Sequence, residues 1–83
     1  MSRALEERIL GAITMVALES GWDLSMDAVG QEILLKLPDA TLWLRSGAGA
    51  ELIQDCAGND ATYAPLLEAA QNVCEEFWKD ERE

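Results

Sequence analysis

Residues 32–55 read EILLKLPDATLWLRSGAGAELIQD and contain three short apolar segments separated by turn-forming residues. The segments are residues 32–37, 41–45 and 50–55. Pro38 and Asp39 suit a tight turn between the first two segments, and glycines separate the second from the third. Short segments at regular spacing with turn chemistry between them predict a three-stranded antiparallel meander.

Alternation along these segments predicts which side chains share a face of the sheet. One face is predicted to be aliphatic, with Ile33, Leu35, Leu37, Leu42 and Leu44. The other face is predicted to carry Leu34, Trp43 and Ile53 beside Lys36, Thr41 and Arg45. Residues 22–29 have no clear period and are predicted to form a loop. Either that loop folds over the second face, or the face stays open for a partner or a second copy of the chain.

Helical periodicity flanks the meander on both sides. Residues 2–20 place apolar side chains at helical spacing, and a second amphipathic helix is predicted from Thr62, with Pro65 in its first turn. Together these segments predict one α+β domain over residues 1–83, with both helices packed on the aliphatic face of the sheet. The alternative is an all-α bundle of four to five short helices, because leucine outnumbers β-branched residues in residues 32–55.

Composition excludes several classes of function. The 83 residues carry 16 acidic and 6 basic side chains and no histidine, for a net charge of −10. Catalytic sets that need histidine are therefore impossible, and bulk electrostatic binding to nucleic acid is disfavoured. No phosphate-binding glycine motif is present, and Asp55 and Asp60 bracket a loop without the spacing of a calcium site. We predict a protein that is not an enzyme and has no cofactor or metal.

The number of cysteines predicts a cytoplasmic protein, and the hydropathy predicts no association with a membrane. Cys56 and Cys74 are too few for the disulfide framework of a small secreted domain. The apolar run of residues 9–18 is about half the length of a membrane span, and the residues before it are not basic overall. We interpret this run as part of a buried helix.

Acidic side chains concentrate in the last predicted helix and the residues that follow it. The candidate partner-binding residues there are Glu68, Glu75, Glu76, Asp80 and Glu83, to which Asp55 and Asp60 are expected to add. A rigid line of carboxylates can occupy a basic groove built for a phosphate backbone. The same charges also suit an ordinary solvated helix face. Trp43 is a further candidate, because tryptophan is enriched where an apolar surface meets a partner.

Residues 39–47, DATLWLRSG, continue through AELIQD into the acidic terminal helix. Over about half the chain this pattern resembles the small acidic anti-CRISPR inhibitors encoded by phages against type I systems, of the kind that mimics DNA. The resemblance implies an inhibitor in the host-cell cytoplasm that covers the DNA-binding surface of a CRISPR effector complex. Inhibitors of this kind also act by capping apolar patches, which would give Trp43 the larger role.

Two functional hypotheses follow. In the first, the chain is an acidic protein inhibitor that binds a basic, nucleic-acid-handling protein complex and does not itself bind nucleic acid. In the second, it is a structural or regulatory adaptor that self-associates, as a homodimer for example, through an apolar surface around Trp43.

Overall fold

The computed structural model describes residues 3–47, 49–58 and 61–82. Its four-stranded antiparallel sheet comes between two helices in the order of the chain. The elements are α1 (Arg3–Ser20), β1 (Ser25–Val29), β2 (Glu32–Leu37), β3 (Ala40–Ser46), β4 (Leu52–Gly58) and α2 (Ala64–Arg82). The strands pair in chain order from β1 to β4. The predicted α+β class is confirmed, and the all-helical alternative is wrong.

Residues 25–29 form a strand where the sequence predicted a loop. Met26 and Ala28 share the sheet face of Leu35, and the outward-facing residues of β1 are exposed. β1 lies at the sheet edge and buries little, so its sequence lacks the apolar alternation of β2 and β3. Gly30, at a φ of 63°, takes the first position of the two-residue turn to β2, as a type II′ turn requires. This segment therefore extends the sheet instead of folding over its open side.

Both helices pack on one face of the sheet and bury its aliphatic side chains, as predicted. Leu35, Leu42 and Leu44 are fully buried at the centre of this core. The helices contribute a second layer of buried residues: Leu5, Ile9, Ile13 and Ala17 from α1, and Leu66, Ala70 and Cys74 from α2. Burial of a leucine contributes about 2 kcal/mol, so the core between the sheet and the helices supplies most of the driving force for folding.

The two helices run antiparallel. Near one end of the pair, Arg8 of α1 lies 3.9 Å from the Glu76 carboxylate and 5.8 Å from the centre of the Phe77 ring. At the other end, Trp22 makes an edge-to-face contact with Tyr63 at a centroid distance of 5.0 Å. These contacts fix the end of α1 beside the start of α2.

Gln71 of α2 holds the connection between β3 and β4. Its Oε1 accepts a hydrogen bond from the backbone N–H of Leu52 at 2.9 Å, and its Nε2 donates to the carbonyl of Ala50 at 2.5 Å. One side-chain amide thus satisfies a donor and an acceptor where β4 begins. This fixes the edge strand β4, and with it Asp55, relative to α2.

Tyr63 ties the start of α2 to the turn between β2 and β3. Its buried hydroxyl donates a hydrogen bond to Oδ1 of Asp39 at 2.5 Å. This hydrogen bond is the main reason that the pKa of Tyr63 lies above its ordinary value of about 10; burial and the negative charge of Asp39 raise it further. The folded state therefore holds the phenolic proton more tightly than the unfolded state does.

The Tyr63→Phe variant should separate this contact from other effects of alkaline pH. The contribution of Tyr63 to stability is complete below pH 10 and is lost as the pH rises through the raised pKa, since the unfolded chain then ionises more readily. Urea midpoints measured from pH 7 to 11 should start higher in wild type and converge with those of the variant. Tyr63 is the single tyrosine, so the variant reports every other titrating group. A gap that stays constant over the whole range would contradict this linkage.

Candidate protein-binding surfaces

Four exposed carboxylates lie along α2, and we call them the acidic line: Glu68, Glu75, Glu76 and Asp80. At 1.5 Å per residue the line extends about 18 Å along the helix. One strand of DNA carries about five phosphates over that length. The acidic line therefore carries four charges over a length that holds about five phosphates, although its gaps are unequal, at seven, one and four residues, and Lys79 lies between Glu76 and Asp80.

The contacts of the acidic line leave it accessible. Glu76 is within 3.9 Å of Arg8, and Glu75 accepts a 3.4 Å hydrogen bond from Gln71. Among the residues that the structure describes, no ion pair within 4 Å involves Glu68 or Asp80. Exposed pairs such as Arg8–Glu76 contribute little to stability and can open when a partner binds.

The sheet face opposite the helices, which we call the open face, is not covered by any described residue. Its side chains come from alternate positions of all four strands: Ser25, Asp27, Val29, Glu32, Leu34, Lys36, Thr41, Trp43, Arg45, Ile53, Asp55 and Ala57. Trp43 remains 37% exposed, whereas Leu34 beside it is only 9% exposed. The prediction that Leu34, Trp43 and Ile53 share the face away from the helices is confirmed.

A depression of about 270 Å³ marks the β3–β4 half of the open face. Trp43 and Ile53 supply its apolar surface, and Glu32, Arg45 and Asp55 supply its charged rim. Arg45 lies 3.9 Å from Glu32 on the neighbouring strand. An indole surface edged by carboxylates can take an apolar group and a cation side by side.

The structure divides the predicted site residues between two surfaces. Trp43 and Asp55 are cross-strand partners on the open face, so Asp55 does not extend the acidic line on α2. Asp60 and Glu83 lie outside the described residues. Asp27 was not predicted to lie on the open face, because residues 22–29 were predicted to form a loop. Gly30, followed by one residue before the apolar run of β2, is the signal that could have located it.

The described acidic and cysteine side chains do not converge on a common point. Glu75 and Glu76 are adjacent on α2 and diverge by about 100°, so they cannot converge on one substrate atom. Within residues 3–47, 49–58 and 61–82, no three acidic or cysteine side chains form a group that could hold a metal ion. Burial is the main reason that the pKa of the Cys74 thiol is raised. Neither described helix combines the length and apolar character needed to cross a membrane.

Comparison with protein-family models, with curated proteins and with solved structures finds no match to this chain. The acidic line and the open face are therefore the features from which a function can be inferred. Each is exposed, is held on regular secondary structure and carries side chains suited to a protein partner.

Proposed function

We propose that this chain is a non-catalytic inhibitor that binds a basic, nucleic-acid-binding site of another protein through the acidic line on α2. The observation that carries the proposal is the rigid display of Glu68, Glu75, Glu76 and Asp80 on one exposed helix. Its partner would be a cytoplasmic complex that handles nucleic acid. The resemblance to type I anti-CRISPR inhibitors makes a CRISPR effector the first complex to test.

The acids of α2 share exposure to solvent, and their position along the helix is neutral with respect to its dipole. The first turn of α2 contains no acidic residue, whereas Asp80 lies in the last turn. The helix dipole favours negative charge at the start of a helix and disfavours it at the end. Lys79 lies beside Asp80 in the same turn and offsets its charge there, so the dipole does not assign these acids to a partner, and their shared exposure is the support for a partner surface.

Long-range attraction would assist such a partner. A net charge of −10 on 83 residues produces a field that guides a basic groove toward the molecule and weakens as salt screens it. The acidic line then provides the fixed geometry at contact. Binding should therefore be salt-dependent and should compete with duplex DNA.

The test is a charge reversal on the helix, Glu75→Lys with Glu76→Lys. Tagged wild-type protein is used to capture partners from a bacterial lysate, and a purified captured complex is then titrated with each variant. We expect the double variant to bind at least tenfold more weakly, since each reversal replaces an attraction with a repulsion. Wild type should also displace duplex DNA from the same complex.

The matched control is Glu19→Lys with Asp23→Lys, which changes the net charge by the same amount. Both residues are exposed near the end of α1, beside the start of α2 and away from Glu75 and Glu76. Its affinity should stay within about threefold of wild type, because only the screened long-range field changes. Equal losses in the two double variants would reduce the effect to net charge and remove the proposal.

Self-association through Trp43 is the second candidate, and the exposure of this indole on the open face favours it. Charge argues against it, because stacking two open faces brings together carboxylates from two chains that each carry −10. We therefore rank a self-associating adaptor below the acidic inhibitor.

A further inference from the structure

Four side chains form a single row across the middle of the open face. Strand register places Asp27 opposite Leu34, Leu34 opposite Trp43, and Trp43 opposite Asp55. We call these four residues the central row. It has a carboxylate at each end, on the two edge strands, and two apolar side chains between them.

Each carboxylate of the central row has a basic side chain at a diagonal position on the neighbouring strand, Lys36 for Asp27 and Arg45 for Asp55. Lys36 lies in the row on one side, and the row on the other side holds Glu32 and Arg45, which face each other 3.9 Å apart. In the part of the chain that the structure describes, no ion pair within 4 Å involves Asp27 or Asp55. The row thus carries a carboxylate outside any close ion pair of the described residues at each end and an apolar centre in which Trp43 is partly exposed.

We propose that the open face binds an extended segment of a partner protein with two basic residues four positions apart and an apolar residue midway between them. Strands are spaced about 4.8 Å apart, so Asp27 and Asp55 are separated by about 14 Å across the sheet. Alternate side chains of an extended segment point the same way, and the first and fifth are about 13 Å apart. A segment crossing the strands therefore places its basic residues on the two carboxylates and its apolar residue against Trp43.

Charge complementarity selects this occupant over a second copy of the chain. When two open faces stack with a twofold axis along the row, Asp27 meets Asp27 and Asp55 meets Asp55 of the other copy. When the axis runs along the strands, Asp27 meets Asp55. Both arrangements place like charges in contact, whereas a basic segment pairs each carboxylate and covers the exposed part of the Trp43 indole.

The inference goes beyond the function proposed above, because it concerns the opposite side of the sheet from α2. A partner that binds both surfaces would contact this chain on two sides. Either surface can also act alone, so each can be tested without the other.

The probe is the capped pentapeptide Lys-Thr-Leu-Thr-Lys, titrated into isotopically labelled protein at low ionic strength and followed by NMR. We expect chemical-shift changes centred on Asp27, Leu34, Trp43 and Asp55. Two matched peptides test the two parts of the proposal. Glu-Thr-Leu-Thr-Glu and Lys-Thr-Ser-Thr-Lys should each bind at least about fivefold more weakly, because the first reverses the charges and the second removes the apolar contact.

The decisive variant pair compares Asp27→Asn with Asp55→Asn against Glu75→Gln with Glu76→Gln. Both double variants remove two negative charges from exposed positions and are expected to fold. The first should weaken peptide binding about fivefold or more, as the loss of two exposed ion pairs implies, and the second less than twofold.

Three results would overturn the inference: equal losses in both double variants, shift changes located away from the central row, or no binding of the probe. A sedimentation mass of two chains that Trp43→Ala reduces to one would also overturn it, because a second copy then occupies the face. Failure of the acidic inhibitor would be seen instead in the charge reversal at Glu75 and Glu76, which leaves the open face unchanged.

Discussion

Gly58→Ala is expected to lower the free energy of unfolding by about 3 kcal/mol or more, a large part of the stability of a domain this size. Gly58 ends β4 at a φ of 103°, a backbone conformation that residues with a Cβ rarely adopt. A Cβ at this position would overlap the carbonyl oxygen of Asp39 and stand 2.8 Å from Cα of Ala40. Both are backbone atoms, so the clash cannot be relieved by rotating a side chain.

Gly30→Ala is the matched control, because it measures the cost of a positive φ for alanine without the clash. Gly30 also has a positive φ, of 63°, but nothing lies within 4 Å of the position its Cβ would take. Its substitution should cost about 1–2 kcal/mol through conformation alone. Urea unfolding of the two variants measures the difference, and equal losses would mean that the contact with Asp39 does not constrain Gly58.

The loss at Gly58 should extend beyond the end of one strand. Asp39 accepts the Tyr63 hydrogen bond on its side chain, and its backbone carbonyl lies against Gly58. The end of β4, the β2–β3 turn and the start of α2 thus meet at one residue. Moving that turn to admit a methyl group would also disturb the attachment of α2, which carries the acidic line.

The central strands could be predicted from sequence because they are half-buried in an alternating pattern. β2 was predicted at the residues it occupies, and β3 extends only one residue further at each end. The third predicted segment, residues 50–55, is displaced from β4 by two residues at its start and three at its end. Gln71 donates a hydrogen bond to the Ala50 carbonyl, and β4 begins two residues later. The two residues are 21 positions apart, so no local sequence pattern contains this contact.

β1 illustrates what local pattern cannot supply. An edge strand with one inner face needs little apolar sequence, because its partner strand provides the pairing and the helices provide the cover. Met26 packs against the core and Ala28 lies on the same side of the sheet but is exposed, so this strand contributes too little apolar sequence to stand out. Only the register with β2 gives Asp27 a place in the central row.

The acidic line was predictable and the central row was not, for the same reason. Residues on one helix are related by a fixed periodicity, so the exposed face of α2 follows from the sequence alone. The central row takes one residue from each of four strands, and its membership depends on three registers. Alternation predicted Leu34, Trp43 and Ile53 on the far face, but it did not show that Asp55 belongs with them rather than with α2.

Leu35→Ala is expected to lower the free energy of unfolding by about 3–4 kcal/mol, whereas Leu34→Ala should cost about 1–2 kcal/mol. The two leucines are adjacent on β2 and differ in which face of the sheet they occupy. Leu35 is fully buried between the sheet and the helices, where its removal leaves a cavity that the surrounding side chains cannot fill. Leu34 lies beside its cross-strand partner Trp43 on the open face, where the neighbouring side chains can move into the space.

Urea unfolding of the two leucine variants measures which face of the sheet the helices cover. A larger loss for Leu34→Ala would place the helices on the Trp43 side, and the central row would then be part of the core. The expected result, a larger loss for Leu35→Ala, places the helices on the opposite face from Trp43 and so leaves Trp43 exposed. Leu34→Ala should accordingly weaken binding of the Lys-Thr-Leu-Thr-Lys probe by removing apolar surface beside the indole. Leu35→Ala, in the fraction that remains folded, should leave probe affinity close to that of wild type.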